Sequence, residues 1–202
     1  DGSPEELRRS LQALVNGYSA WIEETADDVA QLSSHQAEIG ARLASKSRAI
    51  SARMQHGIDT LFAPGNENVL KAFRLTNMAM YLQQRNRKIR RRAFTDVKGK
   101  PIVFDSLKYP SERDFGTWRP FQIGFLLMTL PGLVDPTDPS RDEVDLIFFP
   151  TGGGKTEAYL GAAALTILHR RLQNTSHVGV DVLMRYTLRL LTVQQFERSS
   201  GL

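Results

Sequence analysis

The feature that most constrains this chain is a short stretch, residues 145–160, in which an apolar run precedes three glycines and a Lys-Thr pair. The apolar run at 146–149 predicts a buried strand, residues 150–154 a loop, and the sequence from Lys155 onward a helix. Glycines let backbone N–H groups approach phosphate oxygens closely, and a helix N-terminus adds the positive end of its dipole. The stretch therefore predicts a phosphate-binding loop.

Two side chains of this stretch are candidates for the chemistry of bound ATP. Lys155 is expected to reach the β- and γ-phosphates, and the Thr156 hydroxyl to provide one ligand to Mg²⁺. Both are therefore candidate catalytic residues, and Thr156 is the candidate metal ligand. The remaining predicted phosphate contacts come from Thr151, Gly152, Gly153 and Gly154. The first glycine of the general motif is replaced by Phe149, and the alternative is a glycine-rich turn after a buried strand.

Composition limits the class of protein without selecting a function. A length of 202 residues allows one or two domains, and 41% apolar with 24% charged residues is ordinary for a globular chain. The absence of cysteine excludes disulfides and thiolate metal sites and fits a cytoplasmic location. No apolar run approaches the ~20 residues of a membrane span, so no membrane association is expected. The net charge of +4 allows an anionic partner.

The first half of the chain predicts long amphipathic helices. Apolar residues recur at helical spacing over residues 4–24, 34–61 and 68–92, and Ser3 with Glu6 predicts a capping box at the first helix. These helices are assigned to an accessory domain, residues 1–94, followed by a connector, residues 95–117. A further apolar helix is predicted to open at Pro120 and to close at Pro131-Gly132.

The second half, residues 118–202, is predicted to be the nucleotide-binding part. After the loop, a helix is expected over 155–172, a second strand over 178–184 and a second helix over 188–198. This β-α-β-α order predicts an α/β fold with parallel neighbouring strands. The acidic residues Asp142, Glu143 and Asp145, which precede the first strand, are interpreted as a solvated turn.

A basic run ends the third predicted helix. Six of the eight residues at 85–92 are cationic: Arg85, Arg87, Lys88, Arg90, Arg91 and Arg92. Contact with nucleic-acid phosphates is one interpretation. Compensation of the helix C-terminal dipole, or pairing with acidic surface, is the other.

The motifs together resemble the first RecA-like domain of superfamily 2 helicases, and most closely the helicase-like subunits of bacterial DISARM anti-phage systems. FPTGGGKT at 149–156 is similar to helicase motif I, RYTLRLLTVQQ at 185–195 to motif Ia, and WRPFQ at 118–122 to the segment that recognises adenine. The resemblance implies nucleotide contacts from Trp118 and Gln122. It also implies contacts to the DNA backbone, without base recognition, from Arg185, Thr187, Arg189 and Gln194, which Arg90, Arg91 and Arg92 would extend.

The same resemblance implies ATP and Mg²⁺ as cofactors, DNA as partner and a protein partner similar to DrmB. It also implies that residues 118–202 are an incomplete RecA-like domain. The chain stops 47 residues after Lys155, before any acidic box or second lobe, so we expect it to be inactive in hydrolysis by itself. The alternatives are a DNA- or partner-binding module with a non-hydrolysing phosphate loop, or another P-loop motor such as a restriction-system translocase. Each of these site residues also has a structural alternative. Gln122 would then be a helix-start residue and Trp118 a packing anchor. Arg185 and Arg189 would be surface cations.

Overall fold

Five long α-helices account for most of what the computed structural model describes, namely residues 2–88, 117–148, 150, 152–176, 178–185, 196, 198 and 199. The helices are α1 (Pro4–Val29), α2 (Ser34–Leu61), α3 (Glu67–Lys88), α4 (Pro120–Val134) and α5 (Lys155–Gln173), with a short 3₁₀ helix at Pro139–Asp142. The helices predicted from periodicity at 4–24, 34–61 and 155–172 are thus confirmed in type and approximate extent. The helix predicted at 68–92 is confirmed as far as Lys88, and residues 89–92 lie outside the described part of the chain.

The first two helices form the hairpin that their apolar stripes predict. The Ser3 hydroxyl accepts from the Glu6 amide at 3.1 Å, and the Glu6 carboxylate accepts from the Ser3 amide at 2.8 Å, which confirms the capping box. The stripe of α1 buries Leu11, Val15 and Ile22. Burial of such side chains contributes about 1.5–3 kcal/mol each, so the stripe and not helix propensity holds α1 in place.

One apolar core joins all five helices. α2 packs against α1 and α4, and α5 packs against α3 and α4. The buried members of the core are Leu11 and Val15 of α1, Met54, Ile58 and Leu61 of α2, Val69, Ala72 and Phe73 of α3, Leu126, Leu127 and Leu130 of α4, and Leu165 of α5. The helix after the predicted phosphate loop is therefore anchored in the same core as the N-terminal helices.

The predicted α/β fold with parallel strands is wrong for the described part of the chain, in which helices are present and no strand or sheet is seen. The buried residues of α5 include Leu160, Ala164 and Leu165, and this helix packs against α3 and α4 and not against a sheet. An apolar surface specifies burial but not the kind of partner, so helices satisfy the same pattern as a sheet.

The two segments predicted as strands do not pair with a neighbour within the described residues. Val144, Leu146 and Phe148 are 97%, 86% and 93% exposed, and Val178 and Val180 of the second segment are 85% and 80% exposed. A strand needs a partner for its backbone groups, and an apolar run alone does not supply one. Side chains fasten both segments to helices instead. Arg53 of α2 binds Asp145, and Arg170 of α5 contacts Asp181 at 2.6 Å.

The end of α4 also differs from the prediction. The helix continues through Pro131 and Gly132 to Val134. Pro131 has no N–H to donate to the carbonyl of Leu127, one turn earlier. That carbonyl faces Gly57 of α2, where a Cβ would lie only 2.0 Å from the oxygen. Packing against α2 thus accommodates a proline that would otherwise end the helix.

The predicted boundary between accessory domain and nucleotide-binding part, residues 95–117, falls almost wholly outside the described residues and stays a prediction. The predicted helix at 188–198 lies mostly outside them as well. Over the part of the chain that is described, none of the helices combines the length and apolar character needed to cross a bilayer.

We expect Gly57→Ala to destabilise the protein by about 1–3 kcal/mol, because the added methyl forces α2 and α4 apart where the core is closely packed. Gly17→Ala on α1 is the matched control. A Cβ at Gly17 meets no atom within 4 Å, so this change should stabilise by about 0.5–1 kcal/mol through helix propensity alone. Urea unfolding of both variants checks the pair. Equal effects would show that the crossing at Gly57 is not close.

Candidate phosphate-binding loop

The glycines of the predicted phosphate loop adopt the backbone conformation for which glycine is needed. Gly152 and Gly154 have φ angles of +80° and +89°, in the left-handed region. The Gly153 amide donates to the carbonyl of Pro150 at 3.1 Å and closes a turn. Gly154 immediately precedes the first residue of α5. The loop therefore delivers the chain directly to a helix N-terminus, as a phosphate site requires.

The start of α4 holds this loop from one side. Arg119 Nη1 donates to the carbonyl of Gly153 at 3.0 Å, and Gln122 Nε2 donates to the carbonyl of Gly154 at 2.7 Å. Gln122 Oε1 also accepts from the Arg119 amide at 2.7 Å, which caps α4. Gln122 is only 4% exposed, so the hydrogen bonds of its side-chain amide are shielded from water. One buried side chain thus ties a helix start to the loop.

Gln122, which was predicted to contact the nucleotide, lies against the candidate loop. Both polar atoms of its amide bind backbone. Adenine recognition by Gln122 stays a prediction, because an amide oxygen and nitrogen can each make one further hydrogen bond. The contact of Arg119 with the loop was not predicted. Its position three residues before Gln122 was the only sequence signal.

Lys155 and Thr156 are the first two residues of α5. Lys155 Nζ donates to the carbonyl of Pro150 at 3.2 Å, so the side chain folds back over the loop. Thr156 Oγ1 accepts from the Tyr159 hydroxyl at 3.0 Å. The ammonium group therefore crosses the loop, whereas the hydroxyl lies on the helix that follows it.

Trp118 connects α3 to α5. Its Nε1 donates to Asn77 Oδ1 at 2.7 Å, and a Cβ at Gly161 would lie 3.0 Å from the indole ring. This geometry is that of a packing anchor, one of the two interpretations of the sequence. Stacking of Trp118 on adenine stays a prediction.

The interpretation of the acidic residues as a solvated turn is wrong for Asp145. Its carboxylate accepts two hydrogen bonds from Arg53 of α2, at 2.7 and 3.0 Å, and Glu143 pairs with the same guanidinium at 2.9 Å. Ninety-two residues separate Asp145 from Arg53, so no local pattern could reveal the pair. Nearby, His56 contacts Asp138 at 2.8 Å. No group of three His, Asp or Glu suited to a metal occurs among the described residues.

A second unpredicted ion pair lies at the start of α5, where Arg198 pairs with Glu157. The carbonyl of Arg198 also accepts from Gln83 of α3 at 2.8 Å. Arg198 therefore connects the last turns of α3, just before the basic run, to the helix that follows the phosphate loop.

The predicted DNA contacts are described only in part. Arg185 is exposed. Outside the described residues lie Thr187, Arg189, Gln194, Arg90, Arg91 and Arg92, together with the side chains of Arg85, Arg87 and Lys88. The same holds for Thr151, which was predicted as a phosphate contact and not as a DNA contact. Their assignment stays a prediction.

We expect Gln122→Glu to release the loop while leaving the cap of α4 intact. The carboxylate keeps an oxygen for the Arg119 amide but places another against the carbonyl of Gly154, where only a donor is favourable. Hydrogen exchange at the Gly153 amide should accelerate by up to roughly tenfold, since a net hydrogen bond contributes about 0.5–1.5 kcal/mol. The Arg119 amide should keep its protection.

Gln122→Ala is the matched variant, in which both amides should lose protection because neither hydrogen bond remains. Wild-type exchange at Gly153 in Gln122→Glu would mean that this side chain does not hold the loop.

Comparison with known proteins gives one informative similarity. No protein-family model matches the chain. Over 195 residues it is 38% identical to the DISARM protein DrmA of Bacillus paralicheniformis. The match covers 93% of this chain but only 16% of DrmA, so the chain spans about one sixth of the length of that relative. The similarity to DrmA extends over nearly the whole chain, so it includes both the N-terminal helices and the candidate phosphate loop.

Proposed function

We propose that this chain is the ATP-binding part of an ATP-dependent DNA helicase or translocase of bacterial anti-phage defence, of the DISARM type. The observation that carries the proposal is the loop at 152–154, in which two glycines with positive φ lead into the 19-residue helix α5. Lys155 and Thr156 occupy its first turn. The similarity to DrmA supports the defence role, and the motif residues support nucleotide binding.

The residues of the loop are chemically suited to binding a nucleoside triphosphate. Gly154 has a φ of +89°, a backbone conformation in which any side chain is strained, so this position of the loop favours glycine. In the proposed site, backbone N–H groups of the loop and the Lys155 ammonium hold phosphate oxygens, and the Thr156 hydroxyl takes one position on Mg²⁺. Bound ATP would supply the energy for movement along DNA. Trp118 and Gln122 are the proposed residues on the adenine side.

DNA is the proposed macromolecular partner, gripped by its phosphates. The proposed contacts are Arg185, Thr187, Arg189 and Gln194, together with Arg90, Arg91 and Arg92 of the basic run. A protein similar to DrmB is the proposed second partner, and the cytoplasm the proposed location. Because the matched relative is about six times longer, hydrolysis and movement are proposed for the whole protein and not for this chain.

Lys155→Ala should weaken ATP binding by at least about tenfold. A charge-assisted hydrogen bond contributes about 1.5–3 kcal/mol, and about 1.4 kcal/mol corresponds to a factor of ten. Isothermal titration of the full-length protein with ATP measures the effect. Lys71→Ala is the control, because Lys71 is an exposed cation of α3 whose loss should leave ATP affinity unchanged. Equal ATP affinity of wild type and Lys155→Ala would remove the nucleotide assignment.

Removal of phosphate-binding cations should flatten the salt dependence of DNA binding. We expect Arg189→Ala, and a triple alanine variant of Arg90, Arg91 and Arg92, to reduce the log–log slope by about one unit for each cation that binds a phosphate, equally for all sequences. The measurement is DNA affinity at several salt concentrations, with and without a non-hydrolysable ATP analogue. Only Arg189→Ala should change the effect of nucleotide.

Arg42→Ala, an exposed cation of α2, is the control for total charge. A wild-type slope in the triple variant would identify the basic run as an ordinary helix end. An Arg189→Ala variant that binds DNA normally under both nucleotide conditions would favour the alternative of a binding module with a non-hydrolysing loop.

A further inference from the structure

The chain that enters the phosphate loop is fastened to α2 before it reaches the loop. Arg53 makes two hydrogen bonds to Asp145, of 2.7 and 3.0 Å, and a third ionic contact of 2.9 Å to Glu143. The side chains of Arg53 and Asp145 are only 21% and 17% exposed. A two-pronged, shielded contact of this kind fixes direction as well as distance, unlike the exposed pairs common on protein surfaces.

Asp145 lies five residues before Pro150, the residue whose carbonyl closes the loop. That carbonyl accepts from both the Gly153 amide and Lys155 Nζ. Five residues of extended chain span at most about 18 Å, so a fixed Asp145 limits where Pro150 can lie. The intervening residues 146–148 line a groove of about 710 Å³ together with Met54 of α2 and Phe121 of α4.

The two supports of the loop rest on one rigid unit. Arg53 and Gly57 are one turn apart on α2, and Gly57 is where α4 crosses α2 most closely. α4 in turn carries Gln122, which binds the far side of the loop through the carbonyl of Gly154. The entrance of the loop is thus held by α2 and its exit by α4. Movement of either helix would change the distance between the two ends.

We propose that Arg53 is a positioning residue for the phosphate loop, which it orients through Asp145 without touching the nucleotide. This inference rests on the proposed function for its effect on ATP, and on geometry alone for its effect on the loop. The hydrogen bonds that Arg53 donates to Asp145 raise the pKa of its guanidinium above the ordinary value, which favours the charged form.

The test compares Arg53→Ala with Arg48→Ala in the full-length protein. Arg48 is also on α2 and also makes two hydrogen bonds to one carboxylate, of 2.8 and 2.7 Å, but its partner is Glu23 on α1. Arg53→Ala should weaken ATP binding by about fivefold or more, since displacement of a binding group by an ångström has large effects. Arg48→Ala should leave ATP affinity unchanged. Equal effects of the two variants would overturn the proposal.

Asp145→Asn removes the same ion pair from the other side and leaves α2 intact, so the test does not depend on the folding of Arg53→Ala. If both residues act through their pair, the double variant should bind ATP as weakly as the weaker single variant. Additive losses of affinity would mean separate effects and would contradict a shared role.

Hydrogen exchange of the nucleotide-free protein separates this inference from the proposed function. The Gly153 amide should exchange faster in Arg53→Ala and Asp145→Asn than in wild type, whether or not ATP is the ligand. If Gly153 responds while wild type and Lys155→Ala bind ATP equally, the positioning role stands and the nucleotide assignment fails. If Lys155→Ala no longer binds ATP while the Gly153 amide and the ATP affinity of both variants are unchanged, the positioning role fails alone.

Discussion

The close crossing of α2 and α4 is the constraint on which the rest of the structure depends. Because Gly57 of α2 has no side chain, the backbone carbonyl of Leu127 on α4 can approach α2 closely. This crossing sets the separation of the two helices that support the candidate phosphate loop. Arg53 of α2 holds the chain that enters the loop, and Gln122 of α4 holds the end of the loop. Rigid elements position sites more accurately than loops do, and here two of them act on one loop.

The helices were predictable because their signal is local. Leu11, Val15 and Ile22 repeat at helical spacing, and the cap at Ser3 lies beside them. The two strands predicted from equally local signals are wrong for the described residues. A run such as residues 146–149 is apolar whether it enters a sheet, a groove or solvent, and only long-range pairing decides between them. Pro131 was misjudged for a related reason, since the helix that accommodates it is distant in sequence.

The candidate site was likewise predictable only where its signals are local. The motif at 152–156 and the capping role of Gln122 depend on neighbouring residues, namely glycines at positive φ and a glutamine at a helix start. Two other side chains that hold the loop could not be identified from short motifs. Arg119 reaches Gly153 across 34 residues, and Arg53 reaches Asp145 across 92. Charge alone marks such residues only as cations, so their partners must come from the fold.

The exposed row formed by Val144, Leu146 and Phe148 has a consequence for handling the protein. Three exposed apolar side chains at alternate positions form a narrow apolar patch, and such patches promote self-association in concentrated solution. A preparation of this chain alone should therefore be colloidally unstable. Its solubility should fall with added sulfate, which strengthens apolar association. A single lysine at Leu146 would interrupt the patch at its centre.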